Sequence, residues 1–199
     1  MTITNGYATL DEYKIYQGIT SVDAGDDIFI ETAIEAASRW IDRESGTRFY
    51  TSTETREYDT PTNARGILLL DAHFTSVTAV VNGDGSTLAA SDYVTLPANQ
   101  TPLYGVQLKQ NSGVAWYADS DGNSIQAISV SGSVGYSATA PKDIYLACLE
   151  IARSLYSRRN GENMTMKTVI TSSGVVQLPE GVPDWAAMTI TNYRRLGFG

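Results

Sequence analysis

Residues 26–46 read DDIFIETAIEAASRWIDRESG, and this stretch determines the helical part of the fold. Its apolar residues recur at spacings of three and four, which predicts an amphipathic helix with one buried face. That face would contain Ile30, Ala33, Ile34, Ala37, Trp40 and Ile41. The aspartates at the start match the positive end of the helix dipole, and Gly46 is placed to end the helix in a left-handed conformation. Such a helix needs an apolar partner from elsewhere in the chain.

Further helices are predicted before this stretch and near the other end of the chain. Thr9 and Glu12 have the spacing of a capping box, so a short helix should follow and stop near Gly18. A third helix should begin at Pro141 and a fourth at Pro183, because proline suits the first helical position. The fourth would carry Trp185, Met188, Thr189, Asn192, Tyr193 and Leu196 on roughly one face.

Residues 48–137 have the pattern of an all-β segment. Short runs of apolar and β-branched residues alternate there with turn sequences, which predicts about six strands. They include separate strands at 66–70 and 76–81 and a long strand at 125–136, and NGDG at 82–85 predicts a hairpin turn. The polar stretch at 160–173 is predicted to be a mobile loop.

These elements predict an α+β fold in which helices from both chain ends form one antiparallel helical bundle. The all-β segment, a sheet or a small barrel, would be inserted between them. The predicted boundaries are 1–47 and 139–199 for the helical parts and 48–138 for the insertion. This arrangement would let the two ends of the chain bury each other's apolar faces.

The composition narrows the possible functions. The 199 residues include 42% hydrophobic ones, enough for a core, but no apolar run of about 18 residues, so no membrane span is expected. The first residues lack the basic and apolar regions of a secretory signal. The formal charge of -8 is opposite in sign to that of a protein that grips nucleic acid by its phosphates.

No residue pattern predicts catalysis, a cofactor or a metal site. His73 is expected in a loop between two strands, without the aspartate and nucleophile of a hydrolase beside it. Cys148 lies on an apolar helix stripe, which favours a small core residue over a nucleophile. The DSDGN sequence at 119–123 resembles a calcium loop only in part, because the required glutamate is missing, and it favours a hairpin turn.

Arginines concentrate near the ends of the last two helices, at Arg153, Arg158, Arg159, Arg194 and Arg195. Two interpretations remain open. Cations near helix C-termini complement the helix dipole. The same cluster would also serve as a contact patch for an acidic protein surface or for DNA phosphate.

The segment at 8–49 resembles the start of the tailed-phage head–tail connector proteins, also described as adaptor or head completion proteins. Those proteins begin with a short helix, a G-I-T loop and a helix of the type I-E-A-A-S-x-x-I-D-x-x-T-G-x-x-F. The counterparts here are residues 18–20 and 34–49, with a serine in place of the threonine. A strand with V-T-S-V, similar to residues 76–80, a helix after Pro141 and a V-P start to the last helix follow in the same order.

The resemblance implies a structural virion protein without enzymatic activity. Copies would form a homo-oligomeric ring, dodecameric to match the portal protein, beneath the portal of the filled head. The ring would extend the DNA channel and join the head to a tail or stopper protein, and DNA would pass without sequence-specific binding. Its location would be the head–tail interface of the virion, after synthesis in the host cytoplasm, and the five arginines would be candidate portal or subunit contacts. A channel lined with carboxylates repels phosphate, which accounts for the acidic composition.

A second interpretation is a β-domain glycan-binding module of a phage tail or surface protein. Trp116, Tyr117, Tyr93 and Tyr104 fall within the β segment, and exposed aromatic rings stack on sugars. The connector interpretation needs helix faces that contact other subunits, whereas the glycan interpretation needs exposed aromatic rings.

Overall fold

The computed structural model describes residues 3–20, 23–63, 65–157, 166–171, 174–179 and 184–194. These residues form the predicted α+β fold, with four helices, a five-stranded antiparallel sheet and a separate two-stranded hairpin. The chain divides into two compact units, one made of residues 1–49 and 139–199 and the other of residues 50–138. We refer to them as the helical unit and the sheet unit.

The helical unit contains α1 (Leu10–Gln17), α2 (Ala24–Ser45), α3 (Lys142–Ser157) and α4 (Asp184–Asn192). The predicted capping box of Thr9 and Glu12 starts α1. The side chain of Asp23 accepts hydrogen bonds from the first turn of α2, so that helix begins earlier than the predicted Asp26. It ends at Gly46, whose positive φ of 62° is a backbone conformation that favours glycine.

The buried face of α2 is the predicted one with one exchange. The residues buried as expected are Ile30, Ala33, Ile34, Ala37 and Ile41. Trp40 is only half-buried, whereas Ser38, which is not among the residues predicted for this face, is fully buried. The Ser38 hydroxyl donates to the Ile34 carbonyl at 2.8 Å and accepts from the Tyr7 N–H at 3.0 Å. It also lies 3.4 Å from the Cys148 sulfur of α3, so its small size lets α2 and α3 approach closely.

Tyrosine hydroxyls connect the elements of the helical unit by donating to carboxylates. The tyrosine–carboxylate pairs are Tyr7–Asp42, Tyr16–Glu150, Tyr156–Asp26 and Tyr193–Asp143. In this order they join the N-terminal segment to α2, α1 to α3, α3 to α2, and the residue after α4 to α3. Hydrogen bonds to charged acceptors are stronger than neutral ones, so these pairs hold the helices in register with one another.

Tyr7 is buried and its hydroxyl has two partners. It donates to Asp42 and accepts from the backbone N–H of Phe49 at 2.9 Å. The fully buried Phe49 ring lies edge-on to Tyr7 and Tyr193, with centroid distances of 5.6 and 5.1 Å. Burial, together with the hydrogen bond to Asp42, raises the pKa of the Tyr7 hydroxyl far above its usual range. Tyr13 is also fully buried, but its hydroxyl has no hydrogen-bond partner among the described residues.

The same substitution at these two tyrosines should have different effects on stability, with a loss only at Tyr7. Tyr7→Phe takes one partner from the Asp42 carboxylate and leaves the Phe49 N–H unpaired, which should lower the free energy of unfolding by about 1–3 kcal/mol. Tyr13→Phe removes an unpaired buried hydroxyl and should leave that free energy unchanged or raise it by about 1 kcal/mol. Urea unfolding followed by far-ultraviolet circular dichroism measures both effects. Equal losses from the two variants would contradict this difference in hydrogen bonding.

The sheet unit contains β1 (Ser52–Tyr58), β2 (Ile67–Val81), β3 (Tyr93–Leu96), β4 (Leu103–Leu108) and β5 (Ile128–Val134). Their order in the sheet is β1-β5-β2-β4-β3, so β1 and β3 are the edge strands. The prediction of separate strands at 66–70 and 76–81 is wrong, because both belong to β2, a single strand of 15 residues. The long strand predicted at 125–136 is confirmed as β5, with shorter bounds.

Strand β2 pairs with a different neighbour in each half. Its first half pairs with β4, from Ile67 opposite Gln107 to Leu69 opposite Gly105, and its second half pairs with β5. Register shifts near the middle mark bulges, which let a strand bend without a break. His73 therefore lies inside a strand and not, as predicted, in a loop.

The close approach of β5 to β2 requires a glycine. A Cβ atom at Gly132 would lie 2.1 Å from the carbonyl oxygen of Ser76, far closer than two such atoms can approach. Around this contact, alternate residues of the strands point into one core, as the period of a strand dictates. The strand residues buried in this core are Tyr58, Leu68, Leu70, Phe74, Val80, Leu103, Val106, Ile128, Val130 and Val134.

The separate hairpin consists of β6 (Met166–Thr171) and β7 (Gly174–Pro179), paired antiparallel along their whole length. The prediction of a mobile loop at 160–173 is therefore wrong for residues 166–171. The β-branched residues of KTVIT favour a strand, and GVVQLP supplies its partner. The rest of the predicted loop lies outside the described residues.

Candidate functional site

Two of the five arginines predicted as contact residues belong to the described part of the chain. Arg158, Arg159 and Arg195 lie outside it. Arg153 lies in the second half of α3, and its half-exposed side chain is 3.9 Å from the Glu150 carboxylate. Arg194 is exposed and follows α4.

Arg153 and Arg194 lie beside different ends of α3. The hydroxyl of Tyr193, next to Arg194, donates to Asp143 at the start of that helix. Asp143 and Arg153 are separated by about 15 Å of helix at the usual rise per residue. The structure therefore places these two arginines apart, and their role as contact residues stays a prediction.

Large apolar side chains are exposed on α4. Trp185 is 37% exposed and Met188 is 57% exposed, so the face predicted for this helix is not the buried one. The buried residues are Ala186, Ala187, Ile190 and Thr191. Alanine side chains let a helix approach its neighbours closely, which leaves the larger residues outside.

A second exposed apolar set lies where α1 meets the start of α2. Ile15 is 80% exposed, Ile28 is 53% exposed and Phe29 is 39% exposed. Beside them, a 2.6 Å ion pair between Lys14 and Asp27 joins the two helices. Exposed apolar side chains that lie together mark surfaces at which proteins bind one another.

A groove of about 450 Å³ opens between β1 and the first half of β2, and we call it the β1–β2 groove. Residues 57–63, 67–69 and Gln126 line it. At one side the Asn63 carboxamide accepts a hydrogen bond from the Ile67 N–H at 2.9 Å and donates to the Ile67 carbonyl at 2.6 Å. One side chain thus satisfies both backbone groups of a strand residue.

A hydrogen-bonded network lies beside this groove. The Tyr58 hydroxyl donates to Asp71 at 2.7 Å, and the Arg56 guanidinium binds both Asp71 and Glu54 at 2.9 Å. Burial, together with the hydrogen bond to Asp71, raises the pKa of Tyr58 above its usual range. The hydroxyl therefore stays protonated near neutral pH, and the network joins β1 to β2.

The residues weighed as catalytic or metal-binding candidates have structural roles. Cys148 is fully buried, and burial raises the pKa of its thiol to about 12. The His73 ring lies edge-on to Tyr136 at 5.5 Å. The Asp119 carboxylate accepts hydrogen bonds from the N–H groups of Asp121 and Asn123, so residues 119–123 form a turn. The prediction of a hairpin there is wrong, because the described residues between β4 and β5 contain no strands on either side of this turn.

Among the described residues, no group of three or more His, Cys, Asp or Glu side chains is arranged to hold a metal ion. None of the helices in the described ranges is both long enough and apolar enough to cross a membrane.

The aromatic residues of the glycan interpretation are only partly exposed. Trp116 donates its Nε1–H to the Gly66 carbonyl at 2.7 Å and packs, like Tyr93, against the core of the sheet unit. Tyr104 is 40% exposed and Tyr117 is 48% exposed. Two of the four rings are thus engaged in packing, which weakens the glycan interpretation.

Comparison with known proteins decides the family. The head completion protein family matches residues 7–196, almost the whole chain. The chain belongs to this family. The resemblance seen at 8–49 is thereby confirmed. Head completion proteins are structural proteins of virion assembly and not a class of enzymes.

Solved structures of gene transfer agent particles contain chains of similar fold. A chain from the neck of the empty particle, computed with C6 symmetry, gives a TM-score of 0.58 at 13% identity. A chain from the native neck with C12 symmetry gives 0.56 at 15%, and one from the native virion gives 0.60 at 14%. Each comparison covers 100% of this chain and 96% of the other. At these identities the likeness shows a shared fold. No curated protein sequence matches the chain.

Cys148 should be inert in the folded protein. Its thiol is buried and its pKa is raised to about 12, so iodoacetamide should not label it at pH 8. Urea should expose the thiol and restore its ordinary pKa, so that labelling rises in parallel with unfolding. Mass spectrometry of the intact protein measures the label. Rapid labelling of the folded protein would contradict the placement of Cys148 between α2 and α3.

Proposed function

We propose that the protein is a head–tail connector that forms a homo-oligomeric ring beneath the portal of the DNA-filled head. The ring joins the head to the tail or stopper protein and extends the DNA channel. The observation that carries this proposal is the family match over residues 7–196. The similarity in fold to proteins of particle necks with C6 and C12 symmetry supports it. A dodecameric ring would match a dodecameric portal.

In this proposal, helices from both ends of the chain form a single antiparallel bundle, the rigid body of each subunit. Residues 1–47 and 139–199 supply the bundle, and residues 48–138 are inserted between them. Two tyrosine–carboxylate pairs support this arrangement, because each joins a helix from one end to a helix from the other. They are Tyr16–Glu150 and Tyr156–Asp26.

Ring closure requires two different contact patches on each subunit, because neighbours in a cyclic ring meet head to tail. The helical unit exposes two separate apolar sets that suit this role. One is Trp185 with Met188 on α4, and the other is Ile15, Ile28 and Phe29 near the start of α2. The arginines supply charged contacts to the portal or to the next subunit, namely Arg153, Arg158, Arg159, Arg194 and Arg195.

The acidic charge suits a protein that surrounds DNA without holding it. The chain has 22 Asp and Glu residues against 14 Lys and Arg residues. Carboxylates that face the channel repel phosphate, so DNA slides past without sequence-specific binding. The protein would be made in the host cytoplasm and would end at the head–tail interface of the virion.

Virions that carry the protein should show it as a ring in the neck. Cryo-electron microscopy of purified virions should reveal a collar of twelve copies between the portal and the tail, the number that would match the C12 symmetry of the similar neck. Particles assembled without the protein should contain filled heads that lack tails. A chain that is absent from virions, or that occupies the tail tip, would rule out the connector.

Charge reversal should separate docking from folding. Arg194→Glu with Arg195→Glu should weaken binding to purified portal by about threefold to tenfold, because contacts between charged surfaces are lost. Arg43→Glu with Lys142→Glu changes the net charge equally at other positions of the helical unit and serves as the control. Surface plasmon resonance measures binding, and thermal unfolding measures stability. Unchanged binding with reduced stability would show that these arginines serve the fold.

A further inference from the structure

The β1–β2 groove is bordered by two strand edges. β1 is an edge strand and is hydrogen-bonded to β5 on one side. The first half of β2 pairs with β4, whereas its pairing with β5 begins only at Phe74. Within the described strands, the other side of residues 67–71 therefore has no strand beside it. Such an edge is a ready template for a further strand.

Side chains of this protein already occupy the places on either side of Leu69. The Asn63 carboxamide binds the N–H and the carbonyl of Ile67, as a neighbouring strand would. Two residues beyond Leu69, the Tyr58 hydroxyl donates to the Asp71 carboxylate at 2.7 Å. Outward-pointing backbone groups recur at every second residue of an antiparallel strand, so those of Leu69 point to the same side. Leu69 is thus the position at which an added strand would bind.

The lining of the groove has the chemistry to select its occupant. Glu57 and Asp59 contribute exposed carboxylates, and no Lys or Arg is found among the described lining residues. The nearby Asp71 carboxylate is already paired with Arg56 at 2.9 Å. The Leu69 side chain is 42% exposed and offers an apolar contact to an added strand.

We infer that the β1–β2 groove binds an extended peptide segment of a partner protein, which adds as a strand beside Leu69 and carries a Lys or Arg next to an apolar residue. The Leu69 N–H donates a hydrogen bond to a carbonyl of the peptide, and the Leu69 carbonyl accepts one from an N–H of the peptide. The cation of the peptide lies against Glu57 and Asp59, and the apolar side chain covers that of Leu69. This role is separate from ring formation, because it uses the sheet unit and not the exposed helix faces.

A model peptide tests the mode of binding on the unsubstituted protein. The probe is the capped heptapeptide KVTVKVT, added to ¹⁵N-labelled full-length protein and followed by amide chemical shifts. Shifts should centre on Leu69, and the acidic peptide EVTVEVT should bind more weakly. Two methylated versions test the strand geometry. One is N-methylated at its three valines, and the other at both lysines and the first threonine. Their affinities should differ about tenfold, because only one alternate set of peptide N–H groups faces β2. Absence of shifts at Leu69, or equal affinity of the methylated peptides, would overturn strand addition.

Two matched pairs of variants test the protein side. Leu69→Pro and Leu69→Ala both remove the side chain, but only proline removes the N–H, so KVTVKVT should bind the proline variant about fivefold more weakly. Glu57→Gln and Ser76→Lys each raise the net charge by one, but only Glu57 lines the groove. Glu57→Gln alone should therefore weaken binding, by about threefold. The amide spectrum of each variant reports its folding. Equal affinities within both pairs of folded variants would overturn the inference.

Discussion

The hydroxyl of Tyr7 is the contact on which the helical unit depends. It binds a carboxylate of α2 and the backbone N–H of Phe49, just beyond the end of that helix. Phe49 in turn lies between the rings of Tyr7 and Tyr193, so the N-terminal segment, the end of α2 and the chain after α4 meet in one buried cluster. Thr47 adds a hydrogen bond to the Tyr193 carbonyl at 3.0 Å. Buried and partly buried polar groups need hydrogen-bond partners, so these contacts favour the arrangement in which the two ends of the chain meet.

The arrangement of the sheet unit depends on the bulges of β2, where this strand changes its pairing partner. β2 is too long to pair with a single neighbour, and its bulges turn it from β4 toward β5. The second half of β2 can pair with β5 because Gly132, which has no side chain, lets β5 come close to the bulged backbone. β5 pairs with β2 only from Phe74 onward, and the β1–β2 groove opens beside the first half of β2. Asn63 and Tyr58 fill part of the exposed edge from within the chain.

Local signals in the sequence predict much of the fold, and contacts between distant residues explain the rest. The capping box of α1, the buried face of α2 and the family resemblance all depend on spacings within one segment. The burial of Ser38 cannot be predicted from such spacings. Its hydroxyl donates to a carbonyl of its own helix, so the residue can be buried like a small apolar one. The predicted face of α4 is wrong because tryptophan and methionine are larger apolar residues than alanine, whereas the small Ala186 and Ala187 are the ones that fit the buried contact. The Tyr16–Glu150 pair joins residues 134 positions apart, and the groove depends on which strands pair with β2, so neither leaves a local pattern.

Ser52 at the start of β1 pairs with Val134 at the end of β5. The chain therefore enters and leaves the sheet at neighbouring backbone positions, about 5 Å apart. Because its two ends lie this close together, the segment needs no more distance between its attachment points than a tight turn does. The sheet unit can therefore be lengthened, shortened or replaced during evolution while the helices keep their contacts with one another. Size differences among members of the head completion protein family should accordingly accumulate in this part of the chain.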